Sequence, residues 1–366
     1  MNPPPSTASS RRPRHVPPAA VALAVALLLG GCGVRLDSPP PTEPVPDPVE
    51  IVRRTAVDDA LLVAGQAEAV AGRKDTKPVV AEALTQISEI SLDHADQLGG
   101  VYESGLASDA PAPSPSASEG SAPGPDKVLA TLRDAAARNA TAADVCEDGP
   151  LARLLASVSA AQTLSARKLA ETAGKKLPPY TPPVVPGSPQ AAASPAPSDD
   201  GGDEGGSDDD DATTTAVSAA SRLTTAPAGL EPEDLDAVIL AEDSTAYAYE
   251  VAAAWSDEEP TQLRLLNLAR RHRERGQGWA RVAGVAGTEK DPRRAAYQLP
   301  DRGATAKDVV VQAESRLAAG YASLVAQAEP ATRAAVVALL ADSALTQRAW
   351  GAPLPPFPGL PEQARA

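Results

Sequence analysis

Four ionisable residues near the end of the chain fall where helical patterning calls for apolar side chains. Glu242 lies seven residues after Leu235, on a stripe with Val238 and Ile239. His272 lies seven after Leu265, following Leu268 and Ala269 and preceding Trp279. Glu314 sits among Val310, Leu317, Tyr321 and Leu324, and Asp342 among Leu339, Leu345 and Ala349. Residues three, four and seven apart share one helix face, so each residue points to the same side as its apolar neighbours. A lone buried carboxylate costs several kcal/mol unless it is paired. Four such groups converging in one core could satisfy one another as a hydrogen-bonded network. They could instead hold a single divalent ion, with Mn, Fe or Zn suited to oxygen-rich ligation of low selectivity. In a shifted register some would face solvent and there would be no cluster.

Helices must position them. The last segment reads as four: 231–255, opened by Pro232 and the acids Glu231, Glu233 and Asp234; 261–282; 305–328, stopped by Pro330; and 331–350, stopped by Gly351, Pro353 and Pro355. Two helical hairpins joined by a longer crossover (Asp291-Pro292, then Tyr297-Gln298-Leu299-Pro300) is the layout of a four-helix bundle. Earlier in the chain, 52–71, 78–102, 127–142 and 151–173 also read as helices, with a Ser/Pro/Ala crossover at 107–125. The two halves look like a duplication. Leu154-Leu155-Ala156 followed by Gln162 repeats as Leu339-Leu340-Ala341 followed by Gln347, and His94 and His272 each fall in the second helix of their half. The expected fold class is therefore all-α, with a bundle over 230–351 and a second, more divergent one over 50–175. In that first half Asp58, Asp59 and His94 are candidate remnants of a common arrangement, Ser157 stands where the repeat predicts the equivalent of Asp342, and His94 reads as a satisfied core residue.

Glu242 in Ala241-Glu242-Asp243, with Tyr247 and Tyr249 downstream, His272 in Arg271-His272-Arg273, and Ala296-Tyr297-Gln298-Leu299-Pro300 resemble the ferritin-like superfamily, in a subfamily of unknown function found in actinobacterial secreted and lipid-anchored proteins. The resemblance covers about residues 230–350, and a usage of 25 Arg against 8 Lys fits a GC-rich genome. It implies a ferritin-like bundle. Di-iron members of that superfamily place Glu on the first and third helices and Glu-x-x-His on the second and fourth. Glu242, Glu314 and His272 match three of those positions. Ala269 replaces the Glu three before His272, and Leu345 replaces the His three after Asp342. One imidazole and three carboxylates stand where six ligands are expected, a set unsuited to chemistry on two bridged irons.

The start of the chain carries a different signal. Arg11, Arg12 and Arg14 precede the apolar run 19–29, which leads into Leu29-Gly30-Gly31-Cys32. A basic region, a short apolar region and small residues at the cut make a secretory signal over 1–31, too short to span a bilayer. Pro13, Arg14 and His15 depart from a twin-arginine pattern, so ordinary secretion is expected. Cysteine at this position resembles the bacterial lipoprotein family, which implies that Cys32 is diacylated and becomes the mature N-terminus. The expected location is extracytoplasmic, anchored to the cell membrane by lipid. A Pro-rich tether follows over 32–49, a Pro-, Gly- and Asp-rich linker over 176–229, expected to be disordered, and a Pro-rich tail over 352–366.

Composition narrows the partners. Net charge is −15, and loss of three arginines with the signal takes it to about −18. Eight acids lie within 199–211. Neither nucleic acid nor an anionic lipid surface suits such a chain, so the acyl chains would hold the membrane alone. With Cys32 lipidated, Cys146 has no partner and reads as a partly buried residue at a helix end. The run Arg270-Arg271-His272-Arg273-Glu274-Arg275 reads as a solvated face pairing with Glu258 and Glu259, or as a small anion site. No nucleotide-binding Gly-rich loop, Gly-x-Ser-x-Gly, CxxC or His-Glu-x-x-His occurs. The leading expectation is a non-enzymatic binding or scaffold module for an envelope protein, without a cofactor. The alternatives are a metal-dependent oxidoreductase or metal-storage protein using Glu242, His272, Glu314 and Asp342, and a small-molecule or lipid carrier, which close-packed Ala-rich helices disfavour.

Overall fold

The computed structural model describes residues 44–104, 124–188 and 225–363. Cys32, the expected signal over 1–31, the expected tether up to residue 43, residues 107–123 of the first crossover and the acidic run 199–211 lie outside the described residues. The described chain is all-helical, as the patterning predicts: α1 (Pro48–Ala71), α2 (Pro78–Gln97), α3 (Pro125–Val145), α4 (Gly149–Ala173), α5 (Pro232–Trp255), α6 (Glu259–Val282), α7 (Ala306–Gln327) and α8 (Ala334–Ala349), with a final 3-10 turn at Pro361–Gln363. No helix among the described residues is long and apolar enough to cross a membrane.

Proline starts helices here as well as separating them. Six of the eight carry Pro in the first two positions, where the missing N–H costs nothing and φ is already helical. Asp47 and Asp148 cap α1 and α4, each accepting from a backbone N–H at 2.7 Å. Thr305 and Asp308 form a reciprocal capping box on α7.

Each half is a bundle of two helical hairpins, α1–α2 with α3–α4 and α5–α6 with α7–α8. Each has its own apolar cluster: Val63, Leu84, Ile87, Leu132 and Leu169 in the first, and Tyr249, Leu265, Leu268 and Val310 in the second. A third and larger cluster joins them. Leu155 and Val158 of α4 meet Leu317 and Tyr321 of α7 and Val336, Leu339 and Leu340 of α8. The halves therefore share a core, an arrangement their separate patterning did not reveal. Helix α4 shows the reason in its composition. Fourteen of its 25 residues are buried, around most of its circumference, and nine of these are Ala or Ser. A helix covered on every side must lose its polar face, and small residues let neighbours approach on all of them.

Two segments expected to be free of the bundles are part of them. Residues 176–188 do not belong to a disordered linker. Val185 and Ser188 are buried, and the carbonyls of Pro183 and Gly187 accept from Arg275 and Arg281 of α6. The segment fits because α6 offers Gly278 there: a Cβ on it would lie 3.0 Å from Val185 and 3.2 Å from the Pro186 carbonyl. At the other end of that linker, Ala228 bonds to Thr332 and Glu329. The Pro-rich tail is likewise a strap. Phe357 and Leu360 are buried in the shared cluster, Ser157 donates to the Pro358 carbonyl at 2.8 Å, and Arg153 pairs with Glu362 at 2.6 Å. Gly359 allows the close approach, having φ of +78° and the Ala318 carbonyl 2.7 Å from where a Cβ would stand. Short apolar groups among prolines were enough to dock both segments, and hydropathy averaged over the segment hides them.

The halves are also tied by an exchange of caps. Asp144, at the end of α3, accepts from the backbone N–H groups of Arg333 and Ala334 at 2.7 and 2.9 Å and so caps α8. The Arg333 guanidinium returns to α3, donating to the carbonyls of Ala143 and Cys146. Cys146 itself is buried at this helix end, as expected, and burial pushes its thiol up.

Candidate functional site

All four predicted residues point inward. Glu242, His272, Glu314 and Asp342 are each no more than 1% exposed. They do not form one quartet. His272 stands between Glu242 and Glu314, with Nδ1 2.5 Å from Glu242 Oε2 and Nε2 3.1 Å from Glu314 Oε1. Tyr321 of α7 donates to the other Glu242 oxygen, and Tyr249 of α5 donates to Glu314 at 3.1 Å. The result is a chain of hydrogen bonds, Tyr249–Glu314–His272–Glu242–Tyr321, drawn from α5, α6 and α7. Asp342 on α8 is held elsewhere. Arg275 Nη2 bonds to it at 2.6 Å, Arg271 lies 3.5 Å away and the Tyr180 hydroxyl donates at 2.8 Å.

Electrostatics follow from this partition. Burial opposes a charge on His272, but the Glu242 and Glu314 carboxylates outweigh it and hold the imidazole up at about 9, protonated at neutral pH. Burial likewise opposes the charge of Arg275, and Asp342 with Glu242 keeps it firmly cationic. Asp342 is desolvated too, yet Arg275 and Arg271 hold its carboxyl below the usual range. Burial, then the adjacent carboxylates, push both tyrosine hydroxyls well up, so they remain neutral donors. Three buried acids thus face two fully buried cations and the half-buried Arg271.

A single ion does not fit this donor set. Glu242 and Glu314 occupy opposite nitrogens of one imidazole ring, so no one ion could take both carboxylates with His272. Asp342, the fourth expected donor, is engaged by a guanidinium. No group of three or more His, Cys, Asp or Glu among the described residues is placed to share a metal.

Five participants, Tyr249, Tyr321, Arg271, Arg275 and Tyr180, were not identified as site residues in the sequence. Tyr321 was visible on the inward stripe of α7 without a role. Arg275 was read as part of a solvated run; its position three residues after His272 places it on the same inward face. That run does not pair with Glu258 and Glu259. Arg273 reaches Asp243 at 2.6 Å and Glu250 at 2.8 Å, and Arg271 and Arg275 reach Asp342. Tyr180, in the supposed linker, carried no signal. Asp243 adds a second layer, accepting from Tyr297 of the crossover at 2.7 Å.

Residues 234–362 match the family described as Domain of unknown function (DUF4439). That family has the ferritin-like fold, in agreement with the bundle built by α5–α8. The DUF4439 match takes in all four inward residues and continues through the strap to the last 3-10 turn, but does not include Tyr180. No curated protein matches the chain, and no solved structure does.

Among its described residues, the first half has no counterpart of the polar core between α5, α6 and α7. Asp58 is exposed, and Asp59 is committed to Arg138 at 2.7 Å. His94 is buried, with Nε2 2.7 Å from the Pro356 carbonyl and its ring edge-on to Phe357. Burial pushes it down to about 4, only partly offset by the carbonyl, so it is neutral. The three do not form a remnant site. His94 is a core residue, but not the fully satisfied one expected: its Nδ1 lacks a hydrogen-bond partner.

Proposed function

We propose that this chain is an envelope lipoprotein, anchored through Cys32, whose joined helical bundles serve as a non-enzymatic binding or scaffold module. The single observation that supports this reading is the placement of His272. Its imidazolium and the Arg275 guanidinium occupy the positions from which a metal would otherwise balance the buried carboxylates, so the core is compensated by the chain's own cations. A network of this kind rigidifies a bundle, and its carboxylates are balanced without a bound ion. One atom favours the alternative, a metal-binding protein: Glu314 Oε2 is buried without a hydrogen-bond partner, beside His272.

Elemental mass spectrometry on the full chain, purified without chelator, separates the two. The expected result is no stoichiometric transition metal in the wild type. About one equivalent of Fe, Mn or Zn, lost in Glu242→Ala/His272→Ala, would overturn the scaffold reading. The anchor is tested separately by fatty-acid labelling in a secreting bacterial host. Label should enter the wild-type chain and be absent from Cys32→Ala; equal labelling of both would remove Cys32 as the attachment point.

A further inference from the structure

Helix α6 buries one face and leaves the other without cover. Leu265, Leu268, Ala269 and His272 point inward, while Glu259, Leu263, Leu266 and Arg270 are all exposed. These four follow one another at spacings of four, three and four residues, which is the repeat of a seam that packs against another helix. The two leucines are 54% and 48% exposed on adjacent turns, a continuous apolar strip rather than a scattered residue. The charges that flank it are uncommitted. Among the described residues, Arg270 bonds only to the Asn267 side chain of its own helix, at 3.3 Å, and Glu259 makes no ion pair.

We propose that this seam joins two copies of the chain through antiparallel α6 helices. The order acid–Leu–Leu–base reads as its own complement when reversed. About a dyad midway between the leucines, Leu263 meets the partner's Leu266 and Glu259 meets the partner's Arg270, and each contact occurs twice. That is the isologous pattern a two-fold axis requires. A parallel pairing would set Glu259 against itself and Arg270 against itself, which like-charge repulsion opposes. The strip runs roughly 16 Å along the helix at 1.5 Å per residue, so the contact is small and the association weak and reversible. The inference goes beyond the proposed function and does not depend on the anchor or on the polar core.

Sedimentation of the full chain in density-matched detergent, across a concentration series, tests it with Glu259→Arg and Arg270→Glu. The wild type should dimerise, and each reversal should weaken the dimer by roughly tenfold or more, because it faces like charges across both ends of the seam. Mixing the two variants should restore dimers, since the reversed charges of one chain then meet the opposite reversed charges of the other. All four positions are exposed, so an unchanged far-ultraviolet spectrum is expected and confirms that the variants are folded. A chain that stays monomeric at every concentration would overturn the proposal. So would a dimer indifferent to both reversals, or two weakened variants that fail to recover on mixing.

Discussion

Each half of the molecule buries one histidine in its second helix, and the two carry opposite charge states. His94 faces a backbone carbonyl and an aromatic ring, and burial holds it neutral, at about 4. His272 faces two carboxylates, which overcome a comparable burial and hold it at about 9. Position in the bundle does not decide the chemistry; the neighbours on the facing helices do. In the first half the histidine meets the strap, through the Pro356 carbonyl and the Phe357 ring, and is an uncharged packing element. In the second they are Glu242 and Glu314, and the histidine is the cation that makes their burial tolerable.

The strongest test of this contrast is His272→Leu, measured by denaturant unfolding. It leaves two buried carboxylates without their shared cation and should destabilise by about 3–5 kcal/mol. The same replacement at His94 should cost only about 1 kcal/mol, one hydrogen bond to the Pro356 carbonyl, because the other ring nitrogen already lacks a partner. Equal costs would break the comparison.

The pH dependence should diverge in direction. His272 holds its proton more tightly in the folded chain than its unfolded value near 6.5. The stability it confers is therefore complete below about pH 6.5 and lost as pH rises through about 9. His94 resists protonation when folded, so its contribution is complete above about pH 6.5 and lost as pH falls towards about 4. Unfolding free energies across pH should show both limbs, with His272→Leu flattening the alkaline one and His94→Leu the acid one. An alkaline limb that persists in His272→Leu would assign that proton to another group.

The joint between the halves gives a smaller effect. Asp144→Ala removes the cap that one bundle lends to α8 and should cost about 1–2 kcal/mol. Its effect should appear in a single cooperative transition, because the core is shared. Two transitions would show the halves to be independent. Least disruptive of all is a cut. A protease site engineered within 199–211 and cleaved should leave two fragments that still elute together, since α4, the strap and the Asp144–Arg333 exchange remain. Fragments that separate without denaturant would overturn the shared core.

Much of the layout was legible because helices are local. A 3.6-residue period, prolines and capping acids placed all eight helices and turned Glu242, His272, Glu314 and Asp342 inward. The register along each helix fixed that much. It could not fix which inward residues meet, because that depends on how four separate helices are rotated and staggered against one another. Asp342 therefore found Arg275 and Tyr180, and no period relates residues 180 and 342.

By itself the sequence determined the elements, their inward faces, the ferritin-like likeness of the second half and the incompleteness of its ligand set. Tertiary structure alone decided that the two bundles share one core, that residues 176–188 and the Pro-rich end belong to it, and that His272 is a cation while His94 is not. The reason is one of range. Helix formation and amphipathic stripes are set by neighbours a few residues away, whereas charge state and docking are set by desolvation and by partners far away in the chain.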